Sequence, residues 1–405
     1  MDVLSWLEAN EESVDSDDTP RERSGRALSF SDIGSYSSNN SRTSPARRLA
    51  KLEHDPDGPV FVRQIVRTDD RMPAELQTLL SDLDSFQYRN GIVPHYLEAD
   101  IRTSAEHDRN FFNFTPSTFE RSDEAIHLPA FDPQLSLHRI LEVFESAAEC
   151  FNEGHAQATW NTLVHWPVFR LALGPIANVS GRAQAASISA HGIETAQPAS
   201  APEDQTEGQG RENSVRIRGM LCTAARLTGH ARGPKLVNYC IFVEPELDEA
   251  VKIDELRGRW KYINHTDYNP LRRRPVVLSA EAMKPSGGFT NAHLQLGIWQ
   301  TAQWNFLLGL LAEESRGTQV PVAVAFLSAL IIRGNDWYFA ASTRVKNETI
   351  LWVQQPIGGT GSILGIFQII HALRHIASWV RTTYWPWYKR AILHLPAVNV
   401  AGNAV

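Results

Sequence analysis

The sequence predicts an α/β fold, in which a mixed central β-sheet is flanked by helices. Six apolar runs have the length and the β-branched or aromatic content of strands. They lie at residues 219–227, 236–245, 275–284, 320–332, 337–345 and 349–356. A long helical stretch separates the first three runs from the last three. Since a sheet whose strands alternate with long helices is covered on both faces, this order predicts helices on either side of it.

Four helices are predicted around these strands, beginning near residues 134, 155, 291 and 363. The first follows an Asp-Pro pair, which is typical of a helix start. The second covers about residues 155–173 and contains Pro167, which is expected to kink it or end it early because proline has no N–H to donate. The third covers 291–315, and the last ends near Val380.

Composition divides the chain into three parts. Residues 1–57 form an acidic, Ser-rich tail that is predicted to be disordered, because it has few large apolar side chains to bury. Residues 58–133 form an irregular N-terminal extension, which contains a short extended segment near 60–66 and a helical stretch near 74–83. Residues 134–395 form the predicted α/β domain, which is interrupted at 182–213 by a low-complexity segment that is expected to be a disordered insertion.

Charge and cysteine content exclude several classes of protein. The formal net charge is −7, which does not match the basic footprint of a tight nucleic-acid binder. The three cysteines form no CxxC pair, so neither a zinc ribbon nor a disulfide framework is expected. The N-terminus lacks a signal-peptide pattern, and the longest apolar run, 321–332, is too short to span a bilayer. We therefore expect an intracellular protein of the nucleus or cytoplasm that is neither secreted nor inserted in a membrane.

One acidic residue stands near the end of a predicted strand. Glu281 follows an apolar run, where burial of a carboxylate is costly unless a partner compensates it. An acid on one strand and Glu-x-Lys on its neighbour would provide the oxygen ligands that Mg²⁺ prefers, because residues two apart share one face of a strand. The alternative is that Glu281 only marks a strand end that turns into solvent.

From Glu149 onward the chain resembles a fungal family of PD-(D/E)XK nuclease-like proteins. The matching stretches occur in the family's order and spacing: ECFNEGHAQATWNTLVH, KLVNYCIFVEP, YINHTDYNPLRRRPVVLSAEAMKPSGG, AHLQLGIWQTAQW, ALIIRGNDWYF and GSILGIFQIIHALRHIASWVRTTYWPWYKR. The resemblance implies a restriction-endonuclease-like fold over 134–395, cleavage of DNA or RNA phosphodiesters, and Mg²⁺ as the cofactor of an active member.

The resemblance also assigns the catalytic positions. The family's strand Asp falls on Asn238, its Glu on Glu281, and its Lys on Met283, with Lys284 one place later. Gln295 matches a helix glutamine that in related nucleases orients the site or contacts substrate.

A second group of family positions lies on the second predicted helix and in a loop. The helix Glu of the family falls on Gln157, while the Trp-Asn pair is retained as Trp160 and Asn161. His265, in the INHT segment, is part of the resemblance and is expected to support the strand junction by hydrogen bonding rather than to catalyse.

These substitutions predict a weakened metal site. Asn238 keeps a carbonyl oxygen but loses the negative charge that Mg²⁺ prefers, and Met283 offers no charge. Lys284 should point to the opposite face of the strand unless a bulge re-aims it, and Gln157 removes another anion. We therefore expect a catalytically degenerate core, with no cofactor.

Two other functions stay open at this stage. One is an active Mg²⁺-dependent nuclease in which Asn238 and Glu281 bind the metal, while Glu281, Lys284 and Gln295 catalyse. The other is a structural or interaction domain that never contacts nucleic acid. The candidate partners of a degenerate core are a nucleic acid or an unspecified protein, and the sequence does not indicate an oligomeric state.

Three further patterns have simpler interpretations. The segment GGTGSILG at 358–365 has the form of a phosphate-binding turn, but no Gly-Lys-Ser/Thr follows, so a tight strand-to-helix turn is favoured. The acid-free segment 349–405 mixes basic and aromatic residues, and we expect its aromatic rings to pack on the sheet. Three arginines at 272–274 either meet phosphates beside the site or form a solvated loop.

Overall fold

The computed structural model describes residues 44–55, 58–121, 135–174, 215–222, 237–314 and 323–396. Within these ranges the strands form a seven-stranded mixed sheet with helices on both faces, which confirms the predicted α/β class. Most of the predicted tail, at 1–43, and the predicted insertion at 182–213 lie outside the described residues.

The described helices are numbered here in chain order. They are α1 (Pro45–Glu53), α2 (Ala74–Gln87), α3 (Glu98–Ala105), α4 (Leu137–Asn152), α5 (Gln157–Trp160), α6 (Trp166–Leu173), α7 (Leu247–Trp260), α8 (Phe289–Glu314), α9 (Ile363–Trp379) and α10 (Trp385–Ala391).

The described strands are β1 (Val60–Gln64), β2 (Arg216–Leu221), β3 (Tyr239–Glu244), β4 (Val276–Met283), β5 (Leu327–Arg333), β6 (Asp336–Val345) and β7 (Glu348–Gly359). Their order across the sheet is β1-β7-β6-β5-β4-β3-β2. The pairs β1–β7 and β4–β5 are parallel, and the other pairs are antiparallel. The parallel pair β4–β5 requires a crossover, and α8 provides it.

The two faces of the sheet bury separate apolar clusters. The first half of α8 covers one face, where Trp299 packs with Cys240 and Ile331. Helices α4 to α6 and α9 cover the other face, where Tyr239 and Trp337 are fully buried. Since α8 contacts the sheet on one side and α1 on another, its side chains are apolar around most of its circumference.

Helix α1 lies inside the segment predicted to be a disordered tail. Ser44 accepts a hydrogen bond from the Arg47 amide at 3.4 Å, and Pro45 occupies the first turn, both of which favour a helix start. Leu49 and Leu52 lie on one side of the helix and pack into the α8-side cluster. These two leucines stand in a polar stretch, so the average composition concealed a short helix that tertiary packing stabilises.

Two other elements differ from the sequence-based expectation. The extended segment predicted near residues 60–66 forms β1; its parallel pairing with β7, which buries Val60 and completes the sheet, was not predicted. Helix α7 lies in what we expected to be a plain connection between two strands. It buries only Glu249, Ile253 and Leu256, which gives too weak an apolar period to be predicted.

Pro167 does not end its helix early. A π-helical turn, Asn161–His165, widens the helix immediately before it, and helical structure continues to Leu173. The same arrangement recurs at Val380–Tyr384, before the Trp-Pro pair at 385–386. A wide turn accommodates the hydrogen bond that each proline cannot donate.

One helical stretch, Ile363–Ala391, is long and apolar enough to cross a bilayer by length and composition. However, 72% of its most apolar window is buried inside the fold. Its place against β7 and α6 accounts for this composition, because a core helix needs apolar side chains on most of its faces.

Candidate functional site

The residues predicted to carry chemistry lie together where β3 begins and β4 and β5 end, at one end of these inner strands. Strand β3 is antiparallel to β4, whereas β4 and β5 are parallel. Asn238 immediately precedes β3. Glu281 and Met283 lie in the last three residues of β4. Gly334 follows β5, and its amide donates to the Met283 carbonyl at 2.9 Å.

The register brings Asn238 and Glu281 side by side. Tyr239 pairs with Ala280 in the antiparallel β3–β4 ladder, so the two candidate residues lie next to each other across the strands. Glu281 pairs with Ile331, which belongs to the α8-side cluster. Cys240, two residues after Asn238, belongs to the same cluster. Since alternate side chains share a face, both candidate side chains face α8.

The side-chain carbonyl of Asn238 is engaged by the backbone. Its Oδ1 accepts a hydrogen bond from the backbone N–H of Ala282 at 2.9 Å. The backbone N–H of Asn238 donates to the Ala280 carbonyl, also at 2.9 Å. The residue is 4% exposed. The oxygen that sequence analysis offered as a metal ligand therefore ties the start of β3 to β4.

Glu281 is the buried carboxylate of this pair. It is 8% exposed, at the end of a strand whose other residues are apolar or small. Burial raises the pKa of the Tyr239 hydroxyl well above its ordinary value, and the negative charge of Glu281 adds to that increase.

Neither residue at the lysine position provides a cation to Glu281. Met283 lies two residues beyond it on the same face and packs against the α8-side cluster. Lys284 follows the last residue of β4, in a turn closed by the Gly287 amide, which donates to the Lys284 carbonyl at 2.8 Å. Among the described residues, no ion pair joins the ammonium of Lys284 to a carboxylate.

Gln295 is positioned by two anchors on α8. Gln303 donates to the backbone at the start of β4 at 3.1 Å, and Trp299 donates to the Ser279 hydroxyl at 2.8 Å. These contacts align α8 antiparallel to β4. Gln295 lies one helical turn before Trp299 and is 7% exposed, so this alignment brings it over Glu281.

His265 supports Trp299 by ring packing. The two rings meet edge to face with centroids 4.2 Å apart, and His265 is 4% exposed. Burial lowers the pKa of His265 to about 3, so the ring is neutral near pH 7. The expected support of the strand junction by hydrogen bonding stays a prediction, and the contact observed for His265 is its packing on Trp299.

The family positions in α5 and in the π-helical turn after it lie on the other side of the sheet. Gln157 donates to the side chain of Asn161 at 2.7 Å, and the Tyr239 hydroxyl donates to the Asn161 carbonyl at 3.0 Å. Trp160 is fully buried beside them. Tyr239 belongs to the cluster opposite α8, so Gln157 and Asn161 reach the junction through Tyr239 from the face away from Glu281.

Sequence analysis missed His165 as a member of this group. Its Nε2 donates to the Gly334 carbonyl at 2.9 Å, which links the π-helical turn between α5 and α6 to the turn after β5. Burial lowers the pKa of His165 to about 4, so the ring is neutral. The available signal was its spacing, because His165 follows Asn161 by four residues and therefore shares its helix face.

The residues at this end of the inner strands do not fit a Mg²⁺ ion. A magnesium site in a nuclease draws on carboxylates, and Glu281 is the carboxylate of the Asn238–Glu281 pair. Within the part of the chain that the structure describes, no group of three or more His, Cys, Asp or Glu residues could hold a metal ion. The amide oxygen of Asn238, the other candidate ligand, accepts a backbone hydrogen bond.

A family model of the PD-(D/E)XK nuclease superfamily matches residues 100–385. This span is more than half of the 405-residue chain. The chain belongs to the PD-(D/E)XK nuclease superfamily. The resemblance at the family level is thus confirmed, while membership of a fungal branch stays a prediction. No curated protein and no solved structure matches the chain significantly.

The arginines at 272–274 lie far from the candidate site of this PD-(D/E)XK domain. They precede β4, whereas Glu281 is near its end, so roughly 20 Å of strand separates them. Arg273 pairs with Asp254 at 2.6 Å, and Arg274 pairs with Glu244 at 3.0 Å. Contact between these two arginines and phosphates at the candidate site is therefore not supported.

The two other patterns have structural roles in the PD-(D/E)XK fold. Gly358 adopts a φ of 133°, and a Cβ there would lie 2.6 Å from the Gly365 carbonyl, so the glycines allow α9 to begin tightly against β7. In the C-terminal segment, Tyr384, Trp385 and Tyr388 are buried. Both observations agree with the packing interpretation favoured from the sequence.

Proposed function

We propose that this PD-(D/E)XK protein does not cleave phosphodiesters and retains its fold for binding. The proposal is carried by the bond between Asn238 Oδ1 and the Ala282 amide, which gives a structural role to the oxygen that metal-dependent catalysis would need. Mg²⁺ requires several hard oxygen ligands with negative charge, and one buried carboxylate is a poor substitute.

The loss of the lysine at the position of Met283 supports the same proposal. In metal-dependent hydrolysis a positive charge beside the attacking water stabilises the developing negative charge. Met283 stands on the face where that charge would act, and Lys284 belongs to the turn beyond β4. The alternative of an active nuclease requires Lys284 to reach Glu281, and the described contacts of Lys284 do not support it.

A cleavage assay tests this proposal. The full chain would be incubated with single- and double-stranded DNA and RNA in the presence of Mg²⁺ or Mn²⁺. We expect product formation no greater than that of the Glu281→Ala variant. Products from the natural protein that disappear in both Glu281→Ala and Lys284→Met would overturn the proposal and establish the active alternative.

The partner of a non-cleaving domain is proposed separately. Membership of a nuclease superfamily makes a nucleic acid the first candidate, and an unspecified protein is the second. The ion pairs of Arg273, Arg274 and Lys389 with nearby carboxylates reduce the positive charge that these residues offer. We therefore propose that any binding to nucleic acid is weak at physiological salt.

A further inference from the structure

We infer that the Asn238–Glu281 pair is adapted to a state without metal, in which an uncharged amide lies beside a buried carboxylate and completes the β3–β4 hydrogen bonding. This inference rests on the proposed function, because it assigns Asn238 a role that replaces metal binding. Its experiment measures stability and metal response, so it can fail while the cleavage result stands.

The first step concerns the backbone of β4. The Ala282 amide points toward β3 beyond the regular ladder, and Ala282 is 4% exposed. A buried amide without an acceptor is costly, and the Oδ1 of Asn238 supplies that acceptor at 2.9 Å. Asn238 therefore extends the β3–β4 pairing by one side-chain hydrogen bond.

The second step concerns charge. Asn238 and Glu281 are 4% and 8% exposed, respectively, and lie side by side on one face. Two carboxylates in such a position repel each other, because water screens buried charges poorly. A bound divalent cation would remove this repulsion. Since the described residues bring together no set of three or more metal ligands, an amide gives the same oxygen without the second charge.

The Asn238→Asp substitution tests this inference, since it keeps the acceptor oxygen and changes the charge. In EDTA near pH 8 we expect the melting temperature to fall by about 3–6 °C. Combining it with Glu281→Gln should recover most of this loss, because the second negative charge is then absent. If N238D does not accumulate as folded protein, N238D/E281Q should still do so.

Mn²⁺ provides an independent readout. We expect Mn²⁺ to raise the melting temperature of N238D and to leave the natural protein and N238D/E281Q unchanged. Three results would overturn the inference: N238D as stable as the natural protein in EDTA, an equal loss in the E281Q background, or stabilisation of the natural protein by Mn²⁺. Asn238→Ala serves as a control, since it removes the acceptor and should lose stability in both backgrounds.

Discussion

At the residue scale, burial decides the charge state of the polar side chains. His165 and His265 are both nearly or fully buried, and burial lowers their pKa values to about 4 and about 3. A third ring, His371, has its pKa lowered to about 4, mainly by burial. Each ring is therefore neutral in the folded protein at pH 6, where an unfolded histidine takes up a proton.

The lowered pKa values predict acid sensitivity of stability. Because the unfolded state binds more protons below the ordinary histidine pKa of 6.5, stability is fully present above about pH 6.5 and is lost as pH falls toward 4. Each histidine contributes a slope of about 1.4 kcal/mol per pH unit once its unfolded form is protonated. Urea denaturation at pH 7.5, 6.5 and 5.5 measures the effect.

His165→Gln is the matched control for this prediction. Glutamine retains a donor for the Gly334 carbonyl but does not titrate, so the slope below pH 6.5 should decrease by up to about 1.4 kcal/mol per pH unit, the share of one histidine. An unfolding free energy that stays constant from pH 7.5 to 5.5 would contradict the assignment of neutral buried rings.

At the element scale, the connection between β7 and α9 depends on a close approach of the helix to the strand. Helix α9 begins so tightly against β7 that a Cβ on Gly365 would clash with the Gly359 carbonyl. The amide of Gly365 donates to Ser362, which caps the helix at 3.0 Å. These glycines are required by packing, which explains why their pattern resembled a phosphate-binding turn.

The substitution Gly365→Ala should therefore destabilise the protein by about 1–3 kcal/mol, since the clash involves backbone that cannot move freely. Gly309→Ala is the matched control. Gly309 also lies within a helix, but a Cβ there would meet nothing within 4 Å. Alanine should stabilise that position by about 0.5–1 kcal/mol. Thermal or urea unfolding of both variants measures the difference, and equal effects would contradict the packing argument.

At the scale of the whole molecule, much of the fold was predictable because strands and long helices leave strong apolar patterns. The boundaries of α8 differ from the prediction by two residues or fewer. Helices α1 and α7 were missed, since each buries few apolar residues and forms through tertiary contact. The pairing of β1 with β7 was missed as well, because it joins segments almost 300 residues apart, and no local pattern reports that contact.

The candidate site was predictable in position but not in bonding. The family resemblance assigned Asn238 and Glu281 to neighbouring strands, and the register places them side by side. The bond from Ala282 to Asn238 could not be predicted, since it depends on how the ladder ends. His165 was missed because its partner is a backbone carbonyl, which carries no sequence signal.

Charge over the whole chain leads to a prediction about binding. With a formal net charge of −7, any nucleic-acid contact must come from a local basic surface. In mobility-shift assays we expect the protein to bind DNA or RNA at about 20 mM salt. This binding should be lost at about 200 mM salt. No binding at the lower salt would reject the nucleic-acid partner and favour a protein partner.

The position of β1 has a practical consequence for work with this protein. The family match begins at residue 100, whereas β1 spans Val60–Gln64. A fragment trimmed to the match would leave one side of β7 with bare amides and carbonyls, which invite association between molecules. Recombinant pieces meant for biochemistry should therefore start upstream of Pro45, so that the sheet keeps its outermost strand and the helix packed beside it.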